Sequence, residues 1–143
     1  MMVKTVLAID PGRKKCGIAV VNSKLKFIFG EVVDNKELIQ KVGPLLKKYN
    51  INNLLIGSGT YSDEIKKWII ENFNNIAITE VSEKNTTMQA RKRYYNYNPP
   101  TGLSKFLPLS FLVPPCPYDD YAALLIAEKF FMNRKKTRDN YNL

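Results

Sequence analysis

An α/β fold with a mixed sheet is predicted by three observations. Three apolar, β-rich runs follow one another near the N-terminus with only turns between them. Helical and strand-like periodicities then alternate. A helix that is apolar almost all round closes the chain. A meander followed by alternating helices and strands implies a sheet with antiparallel and parallel pairs, covered by helices.

The first run, Val6-Leu7-Ala8-Ile9, is too short for a helix and suits a buried strand. Asp10 ends it, Pro11-Gly12 turns the chain, and residues 16–21 return as the second strand. Asp10 therefore stands at a strand end on the rim of the core, where a carboxylate reaches solvent. Aspartate before Pro-Gly is also an ordinary turn former. The third strand spans residues 27–33. Asp34, with Glu37 three residues on, resembles a capping box. Leu38, Ile39, Val42, Leu45, Leu46 and Tyr49 then recur at helical spacing, and Gly43-Pro44 predicts a kink or break.

Residues 53–57 form the fourth strand. The loop Gly57-Ser58-Gly59-Thr60 leads to a helix over 62–73 whose apolar face is Ile65, Trp68, Ile69 and Phe73. Small hydroxyl residues at such a turn either cap the helix or bind phosphate at its N-terminus. Residues 76–81 are the fifth strand, with Glu83 just past its end. Thr86 and Gln89 mark the next helix start, and that helix carries Arg91, Lys92, Arg93, Tyr94, Tyr95 and Tyr97. Asp119-Asp120 opens the closing helix, predicted to reach about residue 133 and to be buried. Capping and the helix dipole explain its aspartates. Ala122 and Ala123 would let it approach a strand closely and bring Asp119 near another element. Residues 134–143 read as a frayed basic tail.

The length of 143 residues fits a single domain over 1–143, and 45% hydrophobic content is ordinary for a globular chain. No apolar run approaches the ~20 residues needed to cross a bilayer, and the N-terminus is not that of a signal peptide. A soluble cytoplasmic protein with no membrane association is expected. Two cysteines and no histidine exclude a zinc site of Cys and His, and also Ser-His and Cys-His catalysis. Cys16 reads as a small core residue. The net charge of +9 favours an anionic partner, nucleic acid before acidic membrane.

Residues 84–118 contain no acidic side chain, and six of the eight prolines lie between 99 and 117. The segment 97–117 reads as an irregular, flexible loop. Basic residues among aromatics suit a nucleic-acid groove. A solvated loop anchored by Phe106 and Phe111 accounts for the same composition.

Three carboxylates thus sit at element ends: Asp10, Glu83 and Asp119. If the first strand is central, its end lies beside the end of the fifth, and the closing helix can bring Asp119 there. Grouped carboxylates repel one another, and hard divalent cations such as Mg²⁺ or Mn²⁺ relieve that repulsion. A pair of such ions suits phosphodiester hydrolysis.

Three segments together resemble the YqgF-type family of RuvC-like nucleases. In "AIDPGRKKCGIAV" the matching positions are Asp10, Gly12, Lys14 and Gly17. "VSEKNTTMQA" matches an acidic strand end followed by hydroxyls and an alanine. "YDDYAALLIAEKF" matches an aspartate followed by paired small residues on an apolar helix. The resemblance implies a ribonuclease-H-like fold: a five-stranded mixed sheet in order 3-2-1-4-5, the first three strands antiparallel, flanked by about four helices. It implies Asp10, Glu83 and Asp119 as catalytic carboxylates holding Mg²⁺ or Mn²⁺, as two ions. Lys14 would lie near the scissile phosphate, and Thr86 and Thr87 would shape the site. Lys84, Arg91 and Arg93 would meet nucleic acid. Ser82-Glu83-Lys84 replaces the Asp-Glu-Arg usual in the family, and lysine does not reproduce arginine's bidentate grip on phosphate. Asp120 can replace or supplement Asp119.

The implied function is metal-dependent hydrolysis of structured nucleic acid, with ribosomal RNA precursors first and Holliday junctions second. A non-catalytic nucleic-acid binder of the same fold is a further alternative. Kinases of the sugar-kinase and actin type also use an Asp-x-Gly hairpin, but need two such lobes. Monomer and homodimer both remain open.

Overall fold

The fourth strand, Asn53–Gly57 (β4), is buried along its whole length, as expected of a parallel strand covered on both faces. It lies inside a five-stranded sheet of order β3-β2-β1-β4-β5. The computed structural model describes residues 4–59, 61–82, 92, 94–99 and 119–141, the last helix at 119 and from 135 onward by its backbone. The other strands are β1 (Thr5–Asp10), β2 (Lys15–Asn22), β3 (Phe27–Asp34) and β5 (Ala77–Val81). β1, β2 and β3 pair antiparallel, whereas β1–β4 and β4–β5 are parallel. The sheet order and the antiparallel start are those expected.

Side-chain alternation along the strands divides the core into two layers. Leu7, Ile9, Ile18, Leu54 and Ile56 face α1 (Leu38–Lys48) and α2 (Ser62–Asn72), which contribute Leu38, Val42, Ile65 and Ile69. Val6, Ala8, Ala19, Val21, Leu55 and Val81 face the closing helix, α3 (Asp119–Tyr141), through Ala123, Leu124, Ile126 and Ala127. Each large aliphatic side chain so buried stabilises the fold by about 1.5–3 kcal/mol.

The face under α3 is built from small residues. Ala8, Ala19 and Gly30 lie in register across β1, β2 and β3. With Ala123 and Ala127 buried opposite, the helix approaches the sheet closely. α3 starts near the sheet end where β1 stops, since Asp120 shares a hollow with Lys15, Val32 and Asp34. Its Arg134 lies near Lys4, at the start of β1. Partial burial and then the Arg134 charge hold the Lys4 ammonium below its usual pKa.

Several local expectations are corrected. Asp34 ends β3 and makes no side-chain cap. A short 3-10 turn, Asn35–Glu37, comes before α1, and Glu37 caps nothing either. The cause is a competing demand on the residue between them, described below. α1 runs through Gly43-Pro44 without a break, because its apolar stripe is anchored before and after the proline. α2 starts at Ser62 with no side-chain cap from its N-cap residue, Tyr61. α3 continues to Tyr141, well past residue 133. Residues 94–97 are helical. The predicted helix start at Thr86 and most of the 97–117 loop lie outside the described residues. Among the described residues no helix is long and apolar enough to cross a membrane.

Candidate active site at the carboxyl end of β1

Open α/β sheets bind ligands outside the carboxyl ends of their parallel strands. Here those ends are Asp10, Gly57 and Val81. Ile9 is in register with Ile56, and Gly57 with Val81, so the three ends form one row. By strand alternation Asp10 points to the same face as Val6 and Ala8, the face that α3 covers. Asp10 is half-buried.

The turn after Asp10 is set by two features. Gly12 is required by close approach, because a Cβ there would collide with the backbone carbonyl of Lys15. Asn35 holds the turn from the end of β3. Its side-chain amide donates to the carbonyls of Gly12 and Arg13, each at 2.9 Å. Its backbone N–H donates to the Lys14 carbonyl at 2.9 Å. The buried Cys16 thiol donates to Asn35 Oδ1 at 3.0 Å. All of this keeps Asn35 out of a regular α-helical start and explains the 3-10 turn. The exposed Lys14 side chain is thus carried on a turn fixed on both sides.

The first turn of α3 reaches the same end of the sheet. Asp120 lines an open hollow with Lys15, Val32, Asp34 and Glu37. Its Oδ1 accepts the Tyr121 N–H at 3.1 Å. Asp119, beside it, is the first residue of α3. Further along α3, Lys129 donates to the Ser82 carbonyl at 2.9 Å. That contact ties α3 to the chain directly before Glu83. The loop after β4 closes inward, with the Ser58 N–H donating to the Val81 carbonyl at 2.9 Å. The Ser58 N–H is therefore engaged within the sheet rather than presented to a phosphate.

Of the residues singled out by sequence, Asp10 and Lys14 stand together at the β1–β2 turn. The start of α3, where Asp119 lies, is at the same sheet end. Glu83, Lys84, Arg91 and Arg93 lie outside the described residues, as do Thr86 and Thr87. Among the described residues no three carboxylate, histidine or cysteine side chains are grouped to hold a metal ion. Asn35 and Lys15 were missed. Asparagine after a strand reads only as a turn former, and its partners are 22 and 23 residues away.

The chain aligns over 96% of its length with 98% of Thermus thermophilus RuvC in complex with Holliday junction substrate, with a TM-score of 0.55 and 19% identity. It aligns over 94% of its length with 96% of a second Thermus thermophilus RuvC structure, with a TM-score of 0.53 and 18% identity. The fold is RuvC-like, of the ribonuclease-H-like class. No family model and no curated protein sequence matches the chain. The RuvC-like fold extends over nearly the whole chain, so Asp10 and the start of α3 belong to one framework.

Proposed function

We propose that this protein is a metal-dependent nuclease acting on structured nucleic acid. The observation that carries the reading is the joint position of Asp10 and the start of α3. Asp10 ends the central strand on the face that α3 covers, and α3 begins at that same end of the sheet. Its similarity to a RuvC that was solved with a Holliday junction substrate supports the same reading.

In this proposal Asp10, Glu83 and Asp119 would hold Mg²⁺ or Mn²⁺, with Asp120 able to supplement Asp119. The donors fit such an ion: Asp10 offers hard carboxylate oxygen at the open sheet end, and the chain has no histidine to compete. When bound, such ions activate water and stabilise charge on a phosphodiester under attack. The chain's own residues supply the rest. Lys14, on a turn locked by Asn35, meets a phosphate oxygen and orients the backbone. Lys84, Arg91 and Arg93 add charge along the substrate's path. The +9 net charge draws in a polyanion and makes binding salt-dependent.

Ribosomal RNA precursors are the substrate proposed first, on the YqgF-type motifs. Holliday junctions are the second, on the RuvC likeness. The test is a cleavage panel with Mg²⁺ or Mn²⁺: precursor rRNA, duplex RNA, four-way DNA junctions and single strands. Divalent-dependent cutting of one class supports the reading. Binding that persists without any cutting makes the protein a non-catalytic binder.

A further inference from the structure

Four aromatic rings converge at the β3 edge of the α3 face. Phe27 opens β3, Tyr121 lies in the first turn of α3, and Tyr94 and Tyr97 come from the helical residues 94–97. Ring centroids are 5.7 Å apart for Phe27–Tyr121, 5.8 Å for Phe27–Tyr97, 5.9 Å for Tyr97–Tyr121 and 5.5 Å for Tyr94–Tyr121. Asn98 secures the segment. Its side-chain amide donates to the Tyr121 hydroxyl and to the Tyr94 carbonyl, each at 3.1 Å.

A cluster that served only as core would close over itself. Tyr97 instead remains 56% exposed while touching two other rings. A ring that is held from behind and open in front loses little conformational freedom when a planar partner stacks on it. The exposed cations Lys26 and Lys92 sit close by in sequence, next to Phe27 and two residues before Tyr94. Flat rings with polar rims and nearby cations suit the bases and phosphates of a single strand.

The platform also adjoins the candidate site. Phe27 and Asp120 meet over Gly30. A Cβ there would collide with the Phe27 ring and would stand 3.2 Å from Asp120 Oδ2. Gly30 is level with Ala8, two residues short of Asp10, and β3 is two strands from β1. At ~4.8 Å per strand and ~3.3 Å per residue the platform is about 12 Å from Asp10. Stacked nucleotides rise ~3.4 Å each, so this is roughly three to four nucleotides.

We propose that Tyr97, seated on Phe27 and Tyr121, stacks on an unpaired base that flanks the phosphate held at the Asp10 end of the sheet. This rests on the nuclease reading and narrows its substrate class to nucleic acid with an opened or single-stranded flank.

The test is binding in EDTA, where cleavage is absent, with a 2-aminopurine probe placed either in a single-stranded overhang or inside a blunt duplex. Wild type is expected to quench the overhang probe. Tyr97→Ala should weaken overhang binding about tenfold, a stacked base's usual contribution, and should release the quenching. Blunt-duplex binding should not change, and Tyr97→Phe should behave as wild type. Unchanged overhang binding and quenching in Tyr97→Ala overturns the proposal. Equal losses on overhang and duplex also overturn it. So does sedimentation showing a wild-type dimer that Tyr97→Ala converts to monomer, because the face is then an interface between copies. Tyr97-dependent quenching in a protein that cuts nothing with Mg²⁺ leaves the platform standing and removes the nuclease reading. Asp10-dependent cutting with wild-type overhang binding by Tyr97→Ala does the reverse.

Discussion

The Asn35 side-chain amide lies 2.9 Å from the Gly12 carbonyl, and this contact joins the end of β3 to the turn that follows Asp10. The same amide donates to the Arg13 carbonyl, while Asn35 Oδ1 accepts a hydrogen bond from the Cys16 thiol. A single side chain thus fixes the turn that carries Lys14. We expect Asn35→Ala to destabilise the fold by about 1–2 kcal/mol, since each net hydrogen bond is worth ~0.5–1.5 kcal/mol. Urea unfolding measures that. Well below the melting temperature, a positioning role predicts a kcat about tenfold lower with KM little changed. A variant that is less stable but keeps its full kcat would leave Asn35 a purely structural residue.

Asp10→Asn should abolish divalent-dependent cleavage while keeping the fold. Asparagine is nearly isosteric, so β1 and its turn survive. It lacks the charge that makes a carboxylate a strong ligand for a hard cation. The transition state should lose several kcal/mol, and each ~1.4 kcal/mol is tenfold in rate. Nucleic-acid binding rests on the basic surface and should persist. Equal cleavage rates for wild type and variant would reduce Asp10 to a turn residue.

Replacing Arg91 and Arg93 together by alanine should weaken nucleic-acid binding and flatten its salt dependence. Fewer phosphate contacts release fewer counterions, and the slope of log K against log salt falls by about 0.9 per lost contact on duplex DNA. Binding titrations at several salt concentrations give that slope. An unchanged slope means these arginines only face solvent.

Leu25 offers a test of stability alone. It has φ 63 in the β2–β3 turn, and the residue is 41% exposed. Leucine pays roughly 1–2 kcal/mol for the left-handed region, which asparagine tolerates. The Asn22 side chain already holds the turn through the N–H groups of Lys24 and Lys26. Leu25→Asn should therefore raise stability by about 0.5–1 kcal/mol. A lower urea midpoint would mean that the turn gains more from leucine's apolar contacts than from relief of its backbone.

The sheet order was implied by the family resemblance, whereas the sequence's own local features determined the strands and the place of Asp10 at the end of the first. The reason is that these rest on local patterns. Val6 to Ile9 and Leu54 to Ile56 are apolar and β-prone, Pro11-Gly12 turns the chain, and the apolar faces of α1 and α2 repeat at helical spacing. Of Ala122 and Ala123, expected to allow a close helix–sheet approach, Ala123 is fully buried and Ala122 half-buried. What tertiary structure alone decided are pairings between residues far apart in the chain. Asn35 reaches back to Gly12 and Arg13, and this overrode the capping box expected of Asp34 and Glu37. Pro44 is carried through α1 because burial of Leu38 and Val42 outweighs one lost backbone hydrogen bond. Gly30 is bordered by the Phe27 ring and the Asp120 carboxylate, which come from two different elements. Such contacts leave no periodic trace in the sequence, because each depends on a surface assembled from several strands and helices at once.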